Sequence, residues 1–308
     1  MISKSRGLAK LAGAIMLFTI SGVSASAQKV GSGSGKAELR IGRETYTLGN
    51  AYALSMDDIE GTRLEGTPKK STVLLFTDSP VATDAVGRFF RCAALARGGL
   101  LNGVEIRIDT ATGKMFGGTI YHGMGSEHSP SLNIIAGGAQ TSYQLNDLKT
   151  ESGFISGAAR MEQPEEWRQF NKKGRPLTFQ YDIAFRTRLD HQPPMTADLK
   201  GPAAVNCAPV TVMLAYDTAC RKGDVAAAKR LATPAVTEEW DSLIAKLGED
   251  EFKKAMTQTA MPDARTRLKQ ITRVVVRGDR ATILSKEQGA TVAQPMLKKN
   301  GVWLVDAS

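Results

Sequence analysis

The sequence predicts an α+β protein in two domains, a β-rich one over 37–190 and one of helices followed by strands over 209–308. Three observations carry this. Strict alternation recurs through the first region, most cleanly where Phe179, Tyr181, Ile183 and Phe185 alternate with Gln180, Asp182, Ala184 and Arg186; period-two patterning marks a half-buried strand. Val212, Ala215, Tyr216 and Ala219 open the second region at helical spacing. Between the two, Pro193-Pro194 and Gly201-Pro202 crowd a polar stretch, 191–208, that reads as a linker.

The chain begins with a candidate signal peptide, 1–27. Lys4, Arg6 and Lys10 form a positive start, Leu11 to Ile20 a short apolar run, and Ala25-Ser26-Ala27 a small-x-small cleavage site. The run is short for a membrane span of about 20 residues, and no Cys follows it to take a lipid. The expected product is a soluble periplasmic or secreted protein starting near Gln28. A flexible leader, 28–36, comes next, with Gly31-Ser32-Gly33-Ser34-Gly35. It superficially resembles a phosphate loop, but Val30 stands where the first glycine belongs and Ala37 replaces the hydroxyl.

In the β-rich domain, Leu39 and Ile41, then Tyr46 and Leu48, alternate around a turn at Gly42-Arg43-Glu44. Thr72 to Phe76 is a short apolar strand. Val104, Ile106 and Ile108 share one strand face, with Glu105, Arg107 and Asp109 on the other; a turn near Thr112-Gly113 leads back through Lys114 to Tyr121 as a hairpin. Phe154 to Met161 is a further strand. One helix interrupts: Thr77, Asp78 and Ser79 offer N-cap side chains, Pro80 suits the first turn, and Gly98-Gly99 ends it. The expectation is a curved antiparallel sheet or partial barrel carrying one helix.

In the second domain a helix begins near Pro209 and ends at Gly223, and Asp224 caps the next, through Leu231. Glu238 and Glu239 read as an acidic first turn. A helix after Gly248 carries Phe252 and Met256. Strands follow at 268–277, 280–286, 294–299 and 301–306, with Gly278-Asp279 and Asn300-Gly301 as tight turns. That turn also explains the tripeptide Arg277-Gly278-Asp279.

The run Ala215-Tyr216-Asp217, Lys222-Gly223-Asp224, Ala227, Leu231 and Pro234, closed by Gly301-Val302-Trp303-Leu304-Val305, resembles the NTF2-like superfamily, in particular its small exported bacterial members. The resemblance covers about 205–308; the β-rich domain resembles no family. It implies an α+β cone with a pocket between helices and sheet, and no single activity.

Charge and cysteines narrow the function classes. The formal net charge of +9 comes from scattered pairs such as Lys69-Lys70 and Lys172-Lys173, without interleaved aromatics, which argues against a nucleic-acid platform. Cys207 and Cys220 bracket one helix, so a rise of 1.5 Å per residue holds them about 20 Å apart, beyond the ~4.4–6.8 Å a disulfide spans. Cys92 reads as a small buried residue.

No histidine falls in the NTF2-like segment, leaving Asp217 and Asp241 as candidate bases there, Asp217 with the alternative of a plain solvent-facing position. His122 and His128, six apart in a glycine-rich loop with Glu127 and Met124, compose a candidate metal site; the plainer reading is an exposed connection. The expectation is a non-catalytic exported protein without cofactor, binding a partner or small apolar ligand against Tyr216, Trp240, Phe252, Val274 and Trp303. Two rivals stand: an envelope hydrolase or isomerase with a carboxylate base, and a metal-binding protein using the His122/His128 loop.

Overall fold

The computed structural model describes residues 37–57, 70–82, 85–123, 131–134, 143–167, 177–258, 262–287 and 289–306. The candidate signal peptide and leader, 1–36, lie outside them, as does His128. The chain divides into two compact units, the junction falling between Gln192 and Pro193.

The N-terminal unit is a curled half-barrel sheet of eleven strands. These are β1 (Ala37–Ile41), β2 (Glu44–Thr47), β3 (Asn50–Asp57), β4 (Lys70–Thr77), β5 (Gly103–Asp109), β6 (Met115–Tyr121), β7 (Ser131–Ile134), β8 (Tyr143–Glu151), β9 (Phe154–Met161), β10 (Glu165–Trp167) and β11 (Leu177–His191). Order along the sheet is β2-β1-β11-β3-β4-β5-β6-β7, with β10 and β9 on the other edge of β11 and β8 beyond β9. The long strand β11 pairs antiparallel with β1 (Ile183 opposite Ala37) and then parallel with β3 (Leu189 opposite Ala53). Its odd residues Phe179, Tyr181, Ile183 and Phe185 point into the curl and are buried beside Leu39, Leu74, Ile106 and Trp167. The period-two reading of this run corresponds to what the structure shows.

Strand β4 is buried on both faces, as its unbroken apolar run Val73-Leu74-Leu75-Phe76 demands. Leu74 and Phe76 face the curl. Val73 and Leu75 face helix α1 (Phe89–Arg97), which buries Cys92, Ala93 and Ala96 against them. This helix starts nine residues later than Pro80 suggests. Gly87 is the reason: its φ of +77° is a left-handed conformation, and a Cβ there would lie 2.6 Å from the Met56 sulfur. Asp78 therefore caps no helix; its carboxylate accepts from Asn102 instead.

The C-terminal unit is a five-stranded antiparallel sheet, β12-β13-β14-β15-β16, with helices packed on it. Much of 191–208, expected as a linker, is built into this unit: β12 (Ala197–Lys200) pairs with the edge of β13, and helix α2 (Pro202–Val205) follows. Helix α3 (Ala208–Arg221) ends at Gly223, whose φ is +69°, and Asp224 caps α4 (Val225–Arg230) by accepting from Ala227 N at 2.9 Å. Helix α5 (Pro234–Leu247) begins at Pro234 behind Thr233, so Glu238 and Glu239 fall past its first turn, a correction to the acidic-start reading. Helix α6 (Glu249–Gln258) buries Phe252 and Met256. Helix α7 (Ala264–Gln270) replaces what reads as the start of a strand, because Asp263 caps it through Thr266 N at 2.9 Å.

The strands β13 (Ile271–Arg277), β14 (Arg280–Glu287), β15 (Ala290–Lys299) and β16 (Val302–Val305) form consecutive hairpins. Asn300 and Gly301 both have positive φ, the conformation of a two-residue hairpin turn. The helices are anchored at the far edge, where Ala232 bridges Val305 in parallel and Thr233 Oγ1 bonds the buried Asp306 carboxylate at 2.9 Å.

Candidate functional site

The five residues expected to wall a pocket divide between two apolar clusters of the C-terminal unit. Tyr216 on α3, Trp240 on α5 and Phe252 on α6 meet ring to ring, with Tyr216–Trp240 centroids at 5.8 Å and Trp240–Phe252 at 5.4 Å. Phe252 is fully buried while Tyr216 and Trp240 are half-buried, so the trio runs from core to surface. Val274 and Trp303 belong to the sheet-side cluster with Met213, Ile283 and Val305. Val274 is fully buried; Trp303 is half-buried, with the Lys298 ammonium 5.8 Å from its ring centroid. Tyr216 packs against both clusters and is the residue that links them.

The two candidate bases separate sharply. Asp241 lies exposed on α5, ion-paired with Lys229 at the surface. Asp217 does not face water: only 7 % of it is exposed. It occupies the inward stripe of α3 with Val210, Met213 and Cys220, a spacing of three to four residues that a helix turns to one side. The expected stripe of Val212, Ala215, Tyr216 and Ala219 is rotated relative to the observed one, and Ala215 is exposed.

Opposite Asp217 is Arg267 on α7, 8 % exposed, with Nε 3.4 Å from Asp217 Oδ2. The same guanidinium binds Glu287 Oε1 through Nη1, and Ser285 Oγ lies 3.0 Å from that carboxylate oxygen. Arg221, one turn beyond Asp217, holds Thr218 Oγ1 through Nη2 at 3.1 Å. Gln270 follows Arg267 by one turn of α7. The seam between α3, α7 and β14 is thus lined by a carboxylate–guanidinium–carboxylate chain rather than by apolar side chains.

Burial pushes the Asp217 carboxyl above the ordinary carboxylate range; Arg267 and Arg221 pull it back, and Glu287 adds to the rise. Cys220, fully buried alongside, is pushed up to about 12, by burial first and by Asp217 second. The polar groups are also incompletely bonded. Asp217 Oδ2 and Arg267 Nε meet each other only as a 3.4 Å ion pair, without good hydrogen-bond geometry, and Arg221 Nε and Gln270 Oε1 are buried without a hydrogen-bond partner among the described residues. An unsatisfied buried polar atom costs about 1–3 kcal/mol. Structural economy would eliminate such a group; a site for a polar molecule would keep it.

In the N-terminal unit the buried polar groups are bonded differently. Glu105, fully buried under α1, accepts from Arg107 Nε at 2.8 Å and Tyr121 OH at 3.1 Å. The alternation of β5 assigns it to an exposed face, but that face is covered by the helix. His122 is buried at the end of β6, its Nδ1 2.6 Å from Asn102 Oδ1, and its ring meets Tyr46 and Trp167. Asp78 takes both the backbone N and Nδ2 of Asn102. Since a carboxylate only accepts, the Asn102 amide is oriented with its oxygen toward His122, and the imidazole carries its proton on Nδ1. His122 is therefore a fixed core residue rather than a solvent-facing loop ligand. No group of three His, Cys, Asp or Glu suited to a metal occurs among the described residues.

No protein-family model matches the chain, and neither does a characterised protein or a solved structure. Arg221, Arg267, Gln270 and Glu287 are the residues that sequence reasoning passes over. For Arg267 and Gln270 the signal is Asp263 followed by Thr266, a helix start that turns both to one side; no local signal marks Arg221 or Glu287.

Proposed function

We propose that this chain is an exported, non-catalytic binding protein. Its β-rich N-terminal domain would accompany an NTF2-like C-terminal domain that takes a partner or a small, largely apolar ligand. What supports export is the leader, with its positive start, short apolar run and Ala25-Ser26-Ala27; no helix among the described residues is long and apolar enough to cross a membrane. What supports the NTF2-like reading is the order of capped helices followed by a meander of antiparallel hairpins. The observation that carries binding is the aromatic trio Tyr216, Trp240 and Phe252, two rings of which reach the surface over a buried third. Partly exposed aromatics backed by core offer apolar area at the surface.

Titration of the purified protein with N-phenyl-1-naphthylamine tests this. Saturable fluorescence that weakens about ten-fold in Trp240→Ala is expected; a dye signal that never saturates sinks the reading. A second reading, an envelope hydrolase or isomerase, is favoured by one observation: Asp217 is a buried carboxyl held above its ordinary range beside two arginines. Turnover of an ester or isomerase substrate abolished in a folded Asp217→Asn variant would establish that reading instead.

A further inference from the structure

We propose that a polar hollow on the outer face of the N-terminal sheet is a binding site for a neutral saccharide, taking one sugar ring at a time. It lies in the other unit from the aromatic trio and uses none of its residues. The hollow amounts to about 280 Å³ across β1, β11 and β9. Its origin is a break in the sheet. Arg160 is opposite Asp182 where β9 pairs with β11, and Glu165 is opposite Phe179 where β10 does. Between these points 161–164 face only 180–181, so two surplus residues arch away from β11, as in a β-bulge. Gln180 Nε2 reaches into the break and donates to Met161 O at 3.1 Å. Small-molecule pockets run from about 300 Å³ upward, so a space of this size is matched to a single ring rather than to a longer molecule.

The side chains around it are polar and carry both signs. Strand β11 buries Tyr181 and Ile183 in the curl, which turns Gln180 and Asp182 outward; the same alternation turns out Glu38 and Arg40 of β1 and Arg160 of β9. Asp182 is opposite Glu38 on one side and Arg160 on the other. Arg160 holds it with Nε 3.2 Å from Oδ1 and Nη2 3.1 Å from Oδ2, and Arg40 Nη2 is 3.6 Å from Glu38 Oε2. Guanidinium, two carboxylates and guanidinium thus follow one another around the hollow. Like charges directly opposite weaken a strand pair, so Glu38 against Asp182 is not the choice of a surface built for stability alone. The same order selects the ligand. An anion meeting either arginine is repelled by the neighbouring carboxylate, and a cation meeting the carboxylates is repelled by the neighbouring guanidinium. An apolar group would leave all of them without water. A hydroxyl donates one hydrogen and accepts on two lone pairs. One hydroxyl can therefore lie against a carboxylate and a guanidinium together, and adjacent hydroxyls on a ring repeat the match. Arg40, Arg160 and Asp182 are each more than half exposed; exposed ion pairs contribute little, so these part for such a ligand at small cost.

Titration of the full chain followed by nuclear magnetic resonance tests the site. Methyl β-D-glucopyranoside should shift the amide signals of Glu38, Arg160 and Asp182 saturably, together with the Arg160 Nε–H. Acetate and methylammonium, at the same concentrations, should act at least about five-fold more weakly, since each meets a like charge. Asp182→Ala removes the carboxylate between β1 and β9 from an exposed position. It should weaken the glucoside about ten-fold, in keeping with the loss of one or two ordinary hydrogen bonds, while Trp240→Ala should leave the midpoint where it was. Arg160→Gln reads the same loss should Asp182→Ala fail to fold. Cellotetraose distinguishes the source of the sugar. Tighter binding than the glucoside assigns a glycan chain, and equal or weaker binding assigns a free sugar. The proposal is overturned if neither saccharide moves these signals, or if acetate or methylammonium acts as strongly as the glucoside. It is equally overturned if either folded variant keeps the wild-type midpoint. The naphthylamine titration reports on Trp240 and this one on Asp182, so the failure of either is distinguishable from that of the other.

Discussion

Glu105 in the N-terminal unit and Asp217 in the C-terminal unit are both buried carboxylates, and the two are held differently. Glu105, under α1, has one oxygen bonded to Arg107 and the other to Tyr121. Asp217, under α7, has its Oδ2 3.4 Å from the Arg267 Nε, a longer contact than either bond of Glu105. Burial of charge alone therefore does not mark a site. A carboxylate with both oxygens in short hydrogen bonds behaves as part of the frame, whereas one held by a longer ion pair is less tightly fixed. The aromatic neighbours follow suit: Tyr121 is spent on Glu105, while Tyr216 and Trp240 keep one edge at the surface.

The largest effect that can break this comparison is at Glu105. Glu105→Ala removes the carboxylate that accepts from the Tyr121 hydroxyl and from Arg107 Nε, and opens a void beneath α1. We expect a loss of about 3 kcal/mol from the N-terminal unit, discounted from the full cost of a broken buried pair because Arg107 is partly exposed. Denaturant unfolding measures it, and a loss under about 1 kcal/mol would remove Glu105 from the frame. Asp217→Asn should cost far less, about 1 kcal/mol or below, since Arg267 keeps Glu287 and the penalty of burying a charge is lifted. If Asp217→Asn proves the more damaging of the two, the contrast between the carboxylates is reversed.

Acidity sharpens the same contrast. The Asp217 pKa is raised by folding, so between the unfolded value, 3.8, and the raised folded value the native state holds the extra proton. Stability of the C-terminal unit then falls as pH rises through that window, and recovers on mild acidification. Asp198 works the other way: hydrogen bonding to Arg273 lowers its pKa, so its contribution is present above 3.8 and is lost as pH falls through the folded value. Melting curves from pH 4 to 7 should therefore show wild type losing stability with rising pH relative to Asp217→Asn. Parallel curves for the two would mean that Asp217 titrates normally.

The smallest effect expected is in thiol reactivity. Cys92 and Cys220 are fully buried with pKa values raised by burial, and Cys207, half-buried at the start of α3, is raised for the same leading reason. Thiolate is the reactive form, so access decides the order. Cys207 should label first with iodoacetamide at pH 8, and Cys92 and Cys220 only on unfolding. Early modification of Cys220 would mean that the seam beside Asp217 opens readily.

Local pattern made a good part of this fold legible. The alternation in β11, the Asp224 cap, the helix carrying Phe252 and Met256, and the Asn300-Gly301 turn are each set by residues within one turn or one strand. What escaped depended on distant chain. Glu105 looks solvent-facing until α1 covers its side of β5. The start of α1 shifts because Gly87 must yield to Met56, thirty residues earlier. For Asp217 the sequence leaves a candidate base and a solvent-facing position side by side, although its helical spacing from Val210 and Met213 points inward; a polar residue within an apolar stripe is easily discounted. Arg267 and Gln270 were hidden by reading Leu268 onward as strand. The partners of Asp217 thus come from segments 50 and 70 residues away, which no local window contains.

The long strand β11 has a consequence for the order in which the molecule is assembled. Strand β1 is among the first described parts of the chain, yet Glu38 has to wait for Asp182, and Ala53 of β3 for Leu189. The hairpins β3–β4, β4–β5 and β5–β6 can form as they are synthesised, but the curl cannot close until β11 has arrived to join its two edges. Pairings this distant in the chain are formed slowly, because a long loop must be closed before any contact repays it. The N-terminal unit should accordingly reach its native state in a late, concerted step, remaining open to chaperones and proteases until the chain has been delivered as far as His191.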